Sequence, residues 1–398
     1  MRGAGSGPVN DERLQPQLRI DHTAIAANTR LLHSRTKAAL MAVVKADAFG
    51  HGAVETARTV VAHGATQLGV TTLAEALELR GSGVRAPILS WLNAPDTDFS
   101  PAVDARVDLA VPSTEHLRAA SAGARKAART ARIHLHMDVG MARDGAAPHQ
   151  WPDLCTRAAA LEAAGTVKVT GLMGHLGCAD RPEDPHNRAG RDAFAQAGRV
   201  ARQAGLRPAH HHLAATSALL NDPSSHHDLV RVGAGLYGIA PASAGLRFAA
   251  TLTAPVVSVR DVPANTAVGY AHTWTTHRPT RLALLPIGYA DGLPRATSHQ
   301  AHVLVRGRPR TVAGMFSMDQ IVIDVGDDPI APGEPVTILG PGDHGEPTPA
   351  DWAGWAQTIP HELLTALGTS RRIIRRHLTH PVPPAPARLL CTSLENTT

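Results

Sequence analysis

The chain has 398 residues and a formal net charge of +5, enough for two domains but not for a nucleic-acid footprint. Its basic residues are scattered except at Arg371, Arg372, Arg375, Arg376 and His377, which read as a solvated face with no aromatic stacking platforms between them. Cys155, Cys178 and Cys391 lack C-x-x-C spacing, which excludes a disulfide framework and a cysteine zinc site, while no run approaches the ~20 apolar residues of a membrane span, so a soluble cytoplasmic protein is expected.

In chain order, residues 1–14 are polar and are expected to be disordered. Short apolar runs then recur at 40–45, 67–71, 87–92, 108–111, 133–138, 167–174, 210–214 and 229–232, each reading as a strand. Helix-like stretches at 52–63, 73–79, 114–129, 152–164 and 188–204 lie between them. Alternating strands and helices imply parallel strands with right-handed crossovers, and eight such strands suggest a closed (β/α)8 barrel over residues 15–245. The pattern changes after Leu246. Turn signals and strand-like runs at 282–287, 302–305, 320–324 and 335–339 indicate a mainly β, antiparallel domain over 246–380, with short helices at 349–355 and 360–367. Residues 381–398 are Pro-rich and read as a flexible tail. His210, His211 and His212 are consecutive, so on an extended segment they alternate faces and make poor joint ligands for one metal ion.

The most informative run is Ala42-Val43-Val44-Lys45-Ala46-Asp47-Ala48-Phe49-Gly50-His51-Gly52. Only four lysines occur in the chain, and Lys45 alone follows a buried, strand-like segment. Desolvation would lower its pKa and expose a nucleophilic amine, as a Schiff base with a carbonyl or pyridoxal phosphate requires. A strand-end lysine can equally snorkel to solvent, and the local run does not decide between the two.

This run resembles the cofactor-lysine motif of the alanine racemase family. Further blocks resemble it in order: His134 to Met141 with Arg143, Gly171 to His175, Val230 to Gly233, Val268 to Tyr270, Pro286 to Gly292, and Ser317 to Gln320. The resemblance implies pyridoxal 5'-phosphate as cofactor, a small amino-acid substrate and a homodimer with shared sites. It assigns Lys45 and Tyr270 as the two groups exchanging the α-proton, with His175 toward the tyrosine and Arg231 behind the histidine. Arg231 would face the pyridine nitrogen. An arginine donates a hydrogen bond there but does not take up the acid role, which favours reprotonation at the α-carbon over transamination. Thr216, Gly233 and Ala234 would hold the cofactor phosphate, Arg143 its phenolic oxygen or the substrate carboxylate, and Met318 and Asp319 the substrate; Tyr289 and Arg295 fall at entrance-corridor positions.

Four positions depart from the family pattern. Phe49 replaces a phosphate-binding tyrosine, His136 a lysine that orients Arg143, Ala215 an asparagine, and His361 a tyrosine that touches phosphate and limits the side-chain pocket. The leading expectation is therefore L- and D-alanine interconversion serving cell-wall synthesis. Alternatives are a racemase of a different or larger amino acid in a specialised pathway, or a non-catalytic homologue binding the cofactor or cycloserine. Decarboxylation on the same barrel is disfavoured by Arg231.

Overall fold

A computed structural model describes residues 15–378 of the chain. The expectations for 1–14, 381–398 and Cys391 lie outside the described residues. The first strand, β1 (Gln17–Asp21), is followed by a helix (His22–Ser34) whose first amides are capped by the Asp21 carboxylate.

Eight parallel strands then form a barrel: β2 (Ala39–Val43), β3 (Gln67–Val70), β4 (Ile88–Ser90), β5 (Val107–Val111), β6 (Ala131–His136), β7 (Val167–Met173), β8 (His210–His212) and β9 (Leu229–Val232). The ladder runs unbroken from β8 through β7 down to β2 and on to β9. Its two ends are bridged where the Asp228 and Arg231 amides donate to the His211 and Ala214 carbonyls at 3.1 and 2.9 Å. All eight strands coincide in position with the runs expected from sequence.

Alternation divides each strand between two environments. Outward side chains such as Leu40, Leu68, Ile88, Leu109, Ile133, Leu172 and Val230 join the main core beneath the helices. Met41, Leu89, Ala110, Met173 and Leu229 form a second, smaller cluster, packed with Trp91. The ring of Trp91 occupies the space a side chain at Gly69 would need, with a Cβ there only 2.5 Å from it.

Beyond residue 249 the chain is mainly β. A six-stranded sheet contains β10 (Ala250–Pro255), and a three-stranded sheet joins 258–262, 280–285 and 321–326. β1 is not part of the barrel; it pairs antiparallel with β10 and parallel with the last described strand, Ile374–Leu378. Its five residues alternate in burial like a sheet strand with one wet face. The basic cluster near the end is likewise more than a solvated face. Arg375 donates to Asp47 at 2.5 Å, Arg372 lies 3.3 Å from the buried Asp291, and the His377 and His22 rings meet at 2.9 Å.

The helix Pro360–Thr369 packs on the segment after Lys45 at a glycine crossing. A Cβ on Gly368 would sit 2.1 Å from the Gly50 Cα, and one on Gly50 would sit 2.6 Å from the Leu364 carbonyl oxygen. Gly50 also has φ +82°, so a side chain there is strained independently of space. Gly368→Ala is expected to force the helix off the lysine segment, costing about 1 to 3 kcal/mol. Chemical denaturation should show the loss, and an unchanged midpoint would rule out the tight crossing.

Candidate active site

The strand carrying Lys45 ends earlier than its sequence suggests. β2 stops at Val43, and Lys45 opens a turn in which Ala46, Asp47, Ala48 and Phe49 all have φ between 50° and 56°. Four consecutive non-glycine residues in the left-handed region cost roughly 1 to 2 kcal/mol each. The surroundings hold them there. The Ala46 amide donates to Glu75 Oε1 at 2.7 Å, Asp47 Oδ1 accepts from the Ala53 amide at 2.7 Å, and His51 Nδ1 lies 3.0 Å from the Ala48 and Phe49 carbonyls. The Lys45 amine is thereby set at the barrel mouth, 6.0 Å from the Trp91 ring centre. Burial, aided by the Arg143 charge, lowers its pKa, against a smaller opposing pull from Glu75.

Arg231, at the end of β9, is buried and engaged on several sides. Nη1 donates to His212 Nδ1 at 2.9 Å and to the His212 carbonyl at 2.8 Å; Nη2 donates to the Gly174 carbonyl at 2.7 Å and to His175 Nδ1 at 3.2 Å. No bond to Nε is formed among the described residues, so one donor stays available to a ligand. Arginine only donates, so His175 Nδ1 is the acceptor and Nε2 carries the ring proton. Burial and the Arg231, Arg143, His136 and Lys45 charges push the His175 pKa down to about 3, which keeps it neutral.

His51, fully enclosed, is held at about 4 by burial. Each histidine titrates near 6.5 when unfolded, so below that pH the unfolded chain takes up protons the folded chain refuses. Stability is therefore full above pH 6.5 and declines as pH falls toward 4 for His51 and 3 for His175. The His51 contribution is on the order of 3 kcal/mol. Urea midpoints measured between pH 7.5 and 4.5 should fall with pH, and His51→Gln should flatten the slope.

Beside this pair, Thr216 Oγ1 accepts from the Gly233 and Gly235 amides at 3.3 Å each. A Cβ at Gly233 would lie 3.2 Å from the Phe49 ring and 3.3 Å from Val43. Ala234 follows in the same turn, Ala234–Tyr237. Phe49 packs on Tyr237 and His361, with ring centres 4.8 and 5.7 Å away. His361 Nδ1 is buried without a hydrogen-bond partner among the described residues, and burial followed by the nearby Lys45 charge lowers its pKa. These groups fit a phosphorylated aldehyde cofactor: an amine of lowered pKa, two backbone amides around Thr216 in a cradle where a side chain at Gly233 would crowd Phe49 and Val43, an unsatisfied buried imidazole and a spare arginine donor.

The structure thus gathers Lys45, His175, Thr216, Arg231, Gly233, Ala234 and His361. Arg143 lies on the exposed loop after β6 beside His136 and His175. His136 stands 3.5 Å from Asp144 and makes no hydrogen bond to Arg143, so it does not orient the arginine as the family's lysine would.

Tyr270, Met318 and Asp319 form a separate exposed group in the β domain. Tyr270 and Met318 are 65% and 58% exposed, and no hydrogen bond or ring contact joins them to the barrel mouth. Tyr289 belongs with them, its amide donating to the Ser317 carbonyl at 3.2 Å, and Arg295 reaches Met315 Sδ nearby.

Sequence reasoning missed Trp91, Glu75, Tyr237 and the role of His212. Only His212 carried a signal: within the His210 to His212 run, alternation sends His210 and His212 to the face opposite His211, which instead meets Asp228 at 2.9 Å. Away from the mouth, Cys178, Asp184 and His186 lie close enough to share an ion. Arg181 already contacts both Cys178 and Asp184, so a cationic group occupies that cluster.

Residues 20–241 match the family described as "Alanine racemase, N-terminal domain", and residues 249–377 match "Alanine racemase, C-terminal domain". Among similar proteins, the alanine racemase of Thermobifida fusca is 46% identical over 90% of this chain and 97% of its own length. That of Frankia casuarinae is 45% identical, over 94% and 99%. The crystal structure of alanine racemase from D-cycloserine-producing Streptomyces lavendulae superposes with a TM-score of 0.90 at 42% identity, covering 92% of this chain and 98% of that one.

Proposed function

Because the chain belongs to the alanine racemase family, we propose that it interconverts L- and D-alanine with pyridoxal 5'-phosphate held at Lys45, as a homodimer in which each barrel receives Tyr270, Met318 and Asp319 from the other subunit. The observation that carries this reading is the convergence of a lysine of lowered pKa with the buried Arg231 and His175 pair at one barrel mouth.

Bound there, the cofactor supplies electron withdrawal that acidifies the α-C–H of an amino acid attached to it. The protein supplies the rest. Neutral Lys45 takes or returns the α-proton on one face, and the partner's Tyr270 does so on the other. His175 presents its Nε2–H toward that phenolic oxygen, which steadies the deprotonated form of a group whose free pKa is near 10. Arg231 offers Nε–H to the ring nitrogen but no proton to give up, so withdrawal stays partial and reprotonation at the α-carbon prevails. Thr216 and the amides near Gly233 and Ala234 would receive the phosphate, and His361, whose Nδ1 is buried without a partner among the described residues, would join them. Arg143 meets the substrate carboxylate or the cofactor's phenolic oxygen.

Purified protein loaded with pyridoxal phosphate should convert L-alanine to D-alanine, read by chiral chromatography. Cofactor binding without turnover on any amino acid would leave a binding protein and overturn this reading.

His361 sets the substrate range. It is smaller than the family's tyrosine and sits against Phe49, which itself has no hydroxyl to offer the phosphate. One methylene of fit is worth about 1 to 3 kcal/mol, so preference between alanine and serine or a slightly larger residue should move roughly 10- to 200-fold in His361→Tyr, toward alanine. The same change should slow cofactor loss on dialysis. Equal kcat/KM ratios across these substrates in both proteins would refute the assignment.

A further inference from the structure

Barrel interiors are ordinarily filled by branched apolar side chains, yet a line of polar groups crosses this one behind the site. Arg231 donates to His212 Nδ1, His212 Nε2 lies 2.7 Å from His134 Nδ1, and His134 Nε2 lies 3.4 Å from Asp108 Oδ2. Asp108 in turn accepts from Arg132 Nε and Nη2 at 2.8 and 3.1 Å, where the Arg132 side chain reaches solvent. His134 and His212 have no exposed surface. The fold makes room for this line. β7 has glycine at 171, where a Cβ would stand 2.3 Å from the His134 ring, and the pairing of β6 with β7 shifts register at His134.

Donor chemistry gives the line one direction. Arginine has no acceptor, so His212 Nδ1 must accept and His212 Nε2 must carry the proton. His134 Nδ1 then accepts, and its proton sits on Nε2, which stands 3.4 Å from an Asp108 oxygen that only accepts, close enough for the charge to hold that tautomer although the angle does not make a hydrogen bond. The opposite tautomer at either ring would set two N–H groups against each other in a water-free interior.

We infer that Asp108 and His134 are positioning residues for the racemase site: they lock the tautomer of His212, and His212 thereby holds the Arg231 guanidinium in the orientation that leaves its Nε–H for the cofactor. The inference rests on the proposed function for its catalytic consequence, but the tautomer itself does not. Without the lock, His212 can flip its proton to Nδ1, lose the Arg231 bond and let the guanidinium turn.

Holoenzyme labelled with 15N-histidine tests this through two-bond proton–nitrogen correlations, with His134 and His212 variants giving the assignments. His212 should show a protonated Nε2 and a bare Nδ1. In His134→Leu, that pattern should give way to mixed tautomers and kcat should fall about tenfold, the lower end of what lost outer-shell partners cost, with KM changed less than about twofold. His134→Gln, whose amide can accept from His212 and donate to Asp108, should keep both properties. Asp108→Asn, which preserves volume, should disturb the His212 pattern should His134→Leu fail to fold. A wild-type His212 protonated on Nδ1 overturns the inference, as does a folded His134→Leu protein with unchanged His212 signals and kcat, or a Gln variant as impaired as Leu. Wild-type enzyme that fails to racemise alanine would count against the proposed function, while the His212 spectrum still decides the relay.

Discussion

Lys45→Ala should yield a folded protein that retains no visible absorbance from bound pyridoxal phosphate after dialysis and loses racemase activity by at least about 10^4-fold, since one substitution removes both the covalent anchor and a proton-transfer group. No other lysine can substitute. Lys37 is exposed on the surface, while Lys126 and Lys168 are held in surface ion pairs with Asp98 and Glu162. Only Lys45 is half-buried at the barrel mouth with its pKa lowered by that burial. Borohydride reduction followed by peptide mapping identifies the modified residue. Label on any other lysine, or colour that survives in Lys45→Ala, defeats the assignment.

Mixed dimers provide the second large effect. Lys45→Ala and Tyr270→Phe proteins should each be nearly inactive, yet refolding them together in equal amounts should recover about one quarter of wild-type activity. Random pairing makes half the dimers mixed, and each of these has one site with both groups intact. The exposure of Tyr270 and Met318 on the single chain, far from hydrogen-bond contact with Lys45, is what a site completed by a second copy requires. Recovery of nothing, or a monomeric mass at assay concentration, would contradict the shared site.

The barrel was legible because its signal is local: each strand is an apolar run bounded by turn residues, and alternation with helical stretches implies parallel pairing. The partner of β1 was not, because it depends on residues more than two hundred positions away and nothing in Gln17–Asp21 distinguishes a barrel strand from an edge of the second sheet. Among site residues, Lys45, His175, Arg231 and Thr216 could be placed at strand ends from the pattern alone. The left-handed turn over Ala46 to Phe49 could not, since ordinary propensities argue against it and it is sustained by side-chain bonds involving Glu75, His51 and Arg375. The Asp108 and His134 line escaped notice for a related reason. Each residue looks like an isolated polar interruption in its strand, and the connection exists only when β5, β6, β8 and β9 close around one axis.

The pairing of β1 with both β10 and the strand Ile374–Leu378 also sets a timetable for the molecule as it is made. A ribosome must deliver residue 250 before β1 finds its first neighbour, and residue 378 before it finds its second. Arg375 and His377 ride on that final strand, so the clasp they make with Asp47 and His22 is among the last to form. Until then the turn after Lys45 rests on the bonds from Glu75, Ala53 and His51 alone, so the chain's last described strand adds the final brace to one of its first turns.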